Sequence, residues 1–338
     1  MSGRDTGTDG IEPEQLYDTV LAEVQQVLVG NEEAVEHLTI ALLTRGHILL
    51  EGVPGVAKTT LANLFARVTG LEFRRMQMTP DVVPADVTGT YIYQENIGEF
   101  ELEQGPVFAN VVVADEINRA TPNTQSALLE AMQERQVTIR GDTFELPEPF
   151  LVIATQNPLE MTGVFELPEA QRDRFQFKLT MDLPGRDDER ELVRRFDADP
   201  TLDARAVEQV VSLQDVLAAR EQVSDVHVAS PVVEYILDLV AATREHPETE
   251  HGASPRATLA FLDTAKARAA INGRAYAIPD DVKAFAESIL AHRLVLSADA
   301  DLSDVTPAAV VADILERVDP PSADTDDLSG GVEAAPGE

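Results

Sequence analysis

The chain of 338 residues contains no cysteine, which excludes a disulfide framework, a thiolate nucleophile and cysteine-ligated zinc. No stretch approaches eighteen consecutive apolar residues, so no membrane span is expected. The opening residues, MSGRDTGTDGIEPEQ, lack the basic and apolar regions of a secretory signal, and a cytoplasmic location is the expectation. Positive charge is scarce too. Lys and Arg number 26 against 60 Asp and Glu, for a formal net charge of -34, and only Lys58, Lys178, Lys266 and Lys283 are lysines. That balance disfavours uniform binding to a nucleic-acid backbone. The acids are spread along the chain, as expected for adaptation to high salt, where counterions screen self-repulsion. An acidic surface made for one basic partner would be a patch. The six histidines are too scattered for a metal cluster, and no G-x-S-x-G elbow occurs.

What is present is ample for folding. A 44% hydrophobic content over this length can fill the cores of two ordinary domains. From Glu14 to Thr44, apolar residues recur at helical spacing (Val20, Leu21, Val24, Val27, Leu28, then Val35, Leu38, Ile40, Leu42) and break at Gly30-Asn31, which predicts two helices. From His47 the pattern changes to five short apolar runs, HILLEG, LEFRRMQM, NVVVADE, FLVIATQNP and RFQFKLTMD. Without period-two polar alternation, they read as strands of a parallel sheet buried on both faces. Thr90 to Glu103 and Gln136 to Leu146 do alternate and read as inserted hairpins, with turns at Asn96-Ile97-Gly98 and Gly141-Asp142. After Leu183-Pro184-Gly185 everything is helical in period, with helices over about Arg186 to Phe196, Ala206 to Arg220, Pro231 to Glu245, Pro255 to Ile271 and Pro279 to His292. The expected division is a disordered start over 1–13, an α/β unit over 14–184, a helical unit over 185–319 and a disordered acidic tail over 320–338.

Three motifs carry chemistry. Gly52, Val53, Pro54, Gly55, Val56, Ala57, Lys58 and Thr59, with Thr60 after them, keep the order G-x-x-x-x-G-K-[ST] except that alanine replaces the second glycine. In such a loop backbone N–H groups curl around phosphate at a helix N-terminus, the lysine meets the β/γ oxygens and the hydroxyl meets magnesium. The loop follows the strand HILLE and precedes the helix TLANLFARV, the context the motif requires. Alanine at position 57 is expected to have negative φ, where a methyl brings no strain. The strand Val111-Val112-Val113-Ala114 ends in Asp115 and Glu116: the first acid suits magnesium and the second suits activation of an attacking water. Ala154-Thr155-Gln156-Asn157-Pro158 ends another apolar strand, which places Asn157 near the ligand crevice to orient that water.

GVPGVAKT, ADEINRATPNTQSALLEAMQERQV, ATQNPLEMTGVFELPEAQRDRFQFKL and GASPRATLAFLDTAKARAAINGR, in this order and spacing, resemble the MoxR family of AAA+ ATPases over about residues 15 to 320. In that family alanine before the lysine is frequent. The resemblance implies an AAA+ P-loop NTPase: a three-layer α/β sandwich with a parallel five-stranded sheet and inserted β-hairpins, then a small all-helical lid. It implies ATP and Mg²⁺ as cofactors and a ring, usually hexameric, with nucleotide between subunits. Arg174 looks like the finger reaching a neighbour's γ-phosphate, although Arg172 stands where an apolar residue is more usual. Arg256 of Ser-Pro-Arg resembles the sensor arginine of the lid.

The implied task is chaperone-like remodelling or maturation of a client, often with a partner carrying a von Willebrand factor A domain. Alternatives are the motor subunit of a metal chelatase, a gas-vesicle assembly ATPase, a nucleic-acid motor, or a scaffold that binds ATP with negligible turnover. A helicase needs cationic hairpins. Thr88 to Pro106 has no Lys or Arg, and the second hairpin offers only Arg140 beside Asp142, so nucleic acid is not the expected partner.

Overall fold

The computed structural model describes residues 10–96, 98–158, 163–201 and 203–321. The expected disordered stretches therefore lie outside the described residues over 1–9 and 322–338, as do Ile97 of the first hairpin turn and 159–162 of the Asn157 motif.

Two helices, α1 (Pro13–Val24) and α2 (Glu32–Leu43), precede the first strand. They separate where expected, at Gly30 and Asn31, both with positive φ. Strands β1 (Ile48–Glu51) and β2 (Phe73–Gln77) flank α3 (Lys58–Val68). After α4 (Pro84–Thr88) come the hairpin strands β3 (Gly89–Gln94) and β4 (Glu99–Gln104), then β5 (Val111–Asp115) and α5 (Pro122–Glu134). A second hairpin, β6 (Gln136–Ile139) with β7 (Asp142–Glu145), precedes β8 (Leu151–Gln156), α6 (Glu169–Arg172) and β9 (Phe177–Thr180).

The five apolar runs form one sheet in the order β2-β5-β8-β1-β9, every neighbouring pair parallel. One face carries Ile48, Leu50, Val111 and Ile153 against Leu61, Leu64 and Phe65 of α3. The other carries Leu49, Val112 and Val152 against Leu128, Leu129 and Met132 of α5. Three layers result. Fully buried side chains of this size contribute about 1.5–3 kcal/mol each, which outweighs the few strained backbone positions described below.

Burial on both faces holds for β1, β5 and β8 but not at the edges, a correction to the sequence reading. Of β2 only Met76 is buried, and β9 alternates. An edge strand has one neighbour, and these two carry charge outward, which discourages further pairing. The charges also have partners: Lys178 Nζ lies 2.9 Å from Glu51 Oε2 and Arg75 Nε 2.6 Å from Asp115 Oδ2.

Both hairpins form. The second turns one residue earlier than expected, on Arg140 (φ 53°) and Gly141 (φ 99°), while Asp142 opens β7 opposite Ile139. A two-residue turn of this hand needs two left-handed positions, and glycine takes the second. The hairpins touch: Tyr91 Oη donates to Asp142 Oδ2 at 2.9 Å, and the Arg140 guanidinium stands 5.3 Å from the Phe100 ring centre.

Beyond Gly185 come α7 (Arg186–Ala198), α8 (Leu213–Asp225), α9 (Ser230–Glu245), α10 (Pro255–Ile271), α11 (Pro279–Lys283), α12 (Ala286–Leu290), α13 (Ala298–Leu302) and α14 (Pro307–Arg317). The helix expected from Ala206 starts seven residues later, because Ser212 and Asp215 form a capping box there. The described residues of the lid are mostly helical, with a short antiparallel pair, β10 (Thr249–His251) with β11 (Val295–Leu296), and a single parallel bridge between His227 and Tyr276. Helices α1 and α2 pack against α8 and α10 of the lid as well as against α3. No helix among the described residues is long and apolar enough to cross a membrane.

Candidate nucleotide site

The register sets the site. Gln77 pairs with Asp115, Ala114 with Ala154 and Glu51 with Gln156, so the strands end level and their polar last residues meet at one edge, the usual ligand side of a parallel sheet. There a cleft of about 370 Å³ is lined by the loop from Pro54 to Thr60, by Asp115 and Glu116, and by Thr155 to Asn157. Three motifs distant in sequence share this hollow. Arg75 and Gln77, at the end of β2, join them.

The loop is drawn tightly over the sheet. A Cβ at Gly52 would stand 2.5 Å from the Met181 carbonyl oxygen, so only glycine passes there. Gly55 has φ 93°. Ala57 caps α3 with φ 64° and ψ 20°, the left-handed region, and the expectation of negative φ is wrong. The loop must reverse before the helix begins, and the left-handed residue makes that reversal. The methyl therefore brings strain of about 1–2 kcal/mol. Ala57→Gly is expected to raise stability by about 0.5–1 kcal/mol, as read by denaturant midpoint, and to retain nucleotide affinity. Ala57→Val should weaken affinity, since a β-branched residue is a marked outlier at this φ. Equal affinity and stability in the two variants would refute the reading.

Lys58 folds back so that Nζ donates to the carbonyl oxygens of Gly52 and Val53, the latter at 3.1 Å. Partial burial lowers its pKa, and Asp115, Glu116 and Glu51 oppose that shift. Asp115 is buried and saturated. Thr59 Oγ1 donates to its Oδ2 at 3.1 Å, Thr155 Oγ1 to its Oδ1 at 3.1 Å, and Arg75 Nε to its Oδ2 at 2.6 Å. A carboxylate out of water needs such compensation, and Arg75 is the cation that supplies it.

Glu116 sits at φ 57°, ψ 52°, again left-handed. Its N–H donates to Thr155 Oγ1 at 2.9 Å, and its Oε2 accepts from Gln77 Nε2 at 2.7 Å and from Arg119 Nη1 at 3.1 Å. Asn157 is buried in the same wall.

A second hollow of about 350 Å³ adjoins the loop. The Gly30-Asn31 break lines one side, Leu183 to Gly185 and Leu192 the other, with Gly55 to Ala57 as its floor. The two places where periodicity fails in the sequence are thus the walls of a cavity.

Neither Arg174 nor Arg256 lines the phosphate cleft. They share a different hollow, of about 240 Å³, with Asp173, Leu259 and Arg293. The lid presents Arg256 beside Arg174. Arg172 is separated from both. It lines a cavity at the lid junction with Lys178 and His292.

Arg75, Gln77 and Thr155 escaped the sequence reading. The rule applied to Asn157, a polar side chain at the carboxyl end of a strand, would have found Gln77 in LEFRRMQM and Thr155 beside Gln156.

The family described as "ATPase family associated with various cellular activities (AAA)" matches residues 47–177, and the AAA lid domain matches 241–314. Chaperone MoxR1 of Mycobacterium tuberculosis is 44% identical over 92% of this chain and 84% of its own. Protein MoxR of Methylorubrum extorquens is 32% identical over 88% of this chain and 91% of its own. A solved structure of a proposed ATPase from Cytophaga hutchinsonii superposes with TM-score 0.85 at 41% identity, over 91% of this chain and 95% of the other. Sheet order, lid and these similarities agree, and the chain belongs to the MoxR family of AAA+ ATPases.

Proposed function

We propose that the protein hydrolyses ATP in a ring of its own copies and uses the resulting motion to remodel or mature client proteins. The observation that carries hydrolysis is the meeting of Lys58, Thr59, Asp115, Glu116 and Asn157 around one cleft. The donor set fits a magnesium nucleotide. Backbone N–H groups of the loop and Lys58 would hold the phosphates, with Thr60 beside them. Thr59 and Asp115, whose oxygens lie 3.1 Å apart, would hold Mg²⁺ through oxygen ligands, as that ion requires. When bound, the ion supplies neutralisation of the charge developing on phosphate.

Glu116 accepts the proton of the attacking water and Asn157 orients that water. For this the Glu116 carboxylate must give up its hydrogen bonds from Gln77 and Arg119. The cavity between Gly30-Asn31 and Leu183 to Gly185, next to the loop, takes the base. Arg174 and Arg256 both serve the γ-phosphate of a neighbouring subunit, since both stand in one hollow away from the cleft of their own chain. The α/β unit to residue 184 and the lid to residue 319 shift as ATP becomes ADP, because the two ligands make different contacts.

The chaperone role is carried over from the relative named Chaperone MoxR1, and a von Willebrand factor A domain partner from the family resemblance. A cytoplasmic location and a working environment of high salt complete the reading. Binding to nucleic acid is disfavoured by the net charge of -34 and by the engagement of Arg140 with Phe100. The test is phosphate release from ATP by the purified chain in high salt, with Mg²⁺ and with a chelator. Magnesium-dependent turnover is expected, without stimulation by DNA. Absence of turnover in every salt would favour a scaffold, and stimulation by DNA a nucleic-acid motor.

A further inference from the structure

Asp173 stands at the end of α6, between Arg172 and Arg174, and its side chain is 17% exposed. Its Oδ1 accepts from Arg293 Nε at 2.8 Å and its Oδ2 from Ser254 Oγ at 2.9 Å, while Arg256 Nη1 lies 3.7 Å from that same Oδ2. Arg293 is fixed. Its side chain is 3% exposed, and its guanidinium also donates to the carbonyl oxygens of Phe175 at 2.7 Å, Gln176 at 3.2 Å and Ile289. Burial lowers its pKa to about 10, which leaves it charged near neutrality. Ser254 is the N-cap of α10, its oxygen accepting from the Arg256 N–H at 3.2 Å while its hydroxyl proton goes to Asp173. One carboxylate thus joins the segment carrying Arg174 to the helix start that carries Arg256.

The three contacts are unequal. Those to Arg293 and Ser254 are at hydrogen-bond distance and partly buried. The one to Arg256 is long, and the arginine side chain is 47% exposed, so the pair is worth little by itself. Arg174 Nε is buried with no hydrogen-bond partner, a donor that Asp173 does not satisfy. An incoming phosphate could therefore draw Arg256 away and engage Arg174, while leaving Asp173 bonded to Arg293 and Ser254.

We propose that Asp173 is a positioning residue for the trans arginines: it locks α10 to the Arg174 segment and holds Arg256 in reserve until a neighbour's γ-phosphate displaces it. The proposal rests on the reading that Arg174 acts on the neighbouring subunit. Asp173→Asn keeps an oxygen acceptor but loses the charge. It is expected to lower kcat roughly tenfold, with KM for ATP within about twofold, because displaced catalytic groups lose rate more than binding. Asp173→Glu should recover part of the loss. In an Arg256→Ala background Asp173→Asn should add little.

Mixed rings separate the possibilities. Glu116→Gln subunits have a dead site but an intact trans face, so mixing them with Asp173→Asn subunits should restore turnover. The Arg174→Ala subunits mixed in the same way are the control. If they recover and Asp173→Asn does not, the proposal is overturned while the trans reading stands. If neither recovers, the trans reading falls and takes the proposal with it. Wild-type kcat in Asp173→Asn alone also overturns the proposal. Should that variant fail to fold, Ser254→Ala removes one of the tethers and must show a smaller deficit with the same rescue, or the proposal fails.

Discussion

Replacement of Glu116 by glutamine is expected to lower phosphate release about a thousandfold, the usual worth of a general base, and to leave ATP affinity within a few-fold. The amide keeps the size of the side chain and can still accept a hydrogen bond from Gln77 or Arg119, so the wall of the cleft survives. What is lost is proton acceptance from water. Since Asp115 and Lys58 are untouched, the contacts proposed for phosphate and magnesium are retained and only kcat is expected to move. Phosphate release under single-turnover conditions, alongside binding of a fluorescent nucleotide, separates the two effects. A wild-type rate would remove Glu116 from the chemistry and leave the neighbouring acid, Asp115, already saturated by Thr59, Thr155 and Arg75, as a poor substitute.

The second large effect is expected at Arg174. An arginine that stabilises phosphoryl-transfer charge from a neighbouring subunit is worth about 10³–10⁵ in kcat, so Arg174→Ala should approach the Glu116→Gln rate. The structure separates this defect from a binding defect, because Arg174 does not line the phosphate cleft of its own chain. Nucleotide affinity of the isolated subunit should be unchanged. Loss should appear only where subunits assemble, and sedimentation in high salt with ATP tests that requirement. A species that stays monomeric with ATP, yet hydrolyses it at a rate sensitive to Arg174, would contradict action in trans. Arg172→Ala should cost far less, since that side chain lines a cavity with Lys178 and His292 at the lid junction.

Much of this could be read from sequence for a local reason. The runs HILLEG, NVVVADE and FLVIATQNP are dense enough in β-branched and aliphatic residues that burial on two faces was their only economical fate, and β1, β5 and β8 bear that out. The edge runs LEFRRMQM and RFQFKLTMD look similar, but whether a strand has one neighbour or two is a matter of sheet order, which no single run encodes. The second hairpin shows the same limit on a smaller scale: Gly141 marks the turn, while the register of Ile139 with Asp142 decides which residues occupy it.

By itself the sequence determined the phosphate loop, the acid pair at the end of β5, the polar end of β8, the two hairpins and the succession of α/β unit and helical lid, because each is written in consecutive residues whose spacing is its signal. Only the tertiary structure decided the backbone of Ala57, where the turn into α3 imposes a left-handed conformation. It alone recruited Arg75, Gln77 and Thr155 around Asp115 and Glu116, since level strand ends bring together residues up to 80 positions apart. It alone put Arg256 beside Arg174 and Asp173, 82 and 83 residues away. Contacts at that separation depend on how the lid packs back against the sheet domain, and packing is a property of surfaces that the chain possesses only once it has folded.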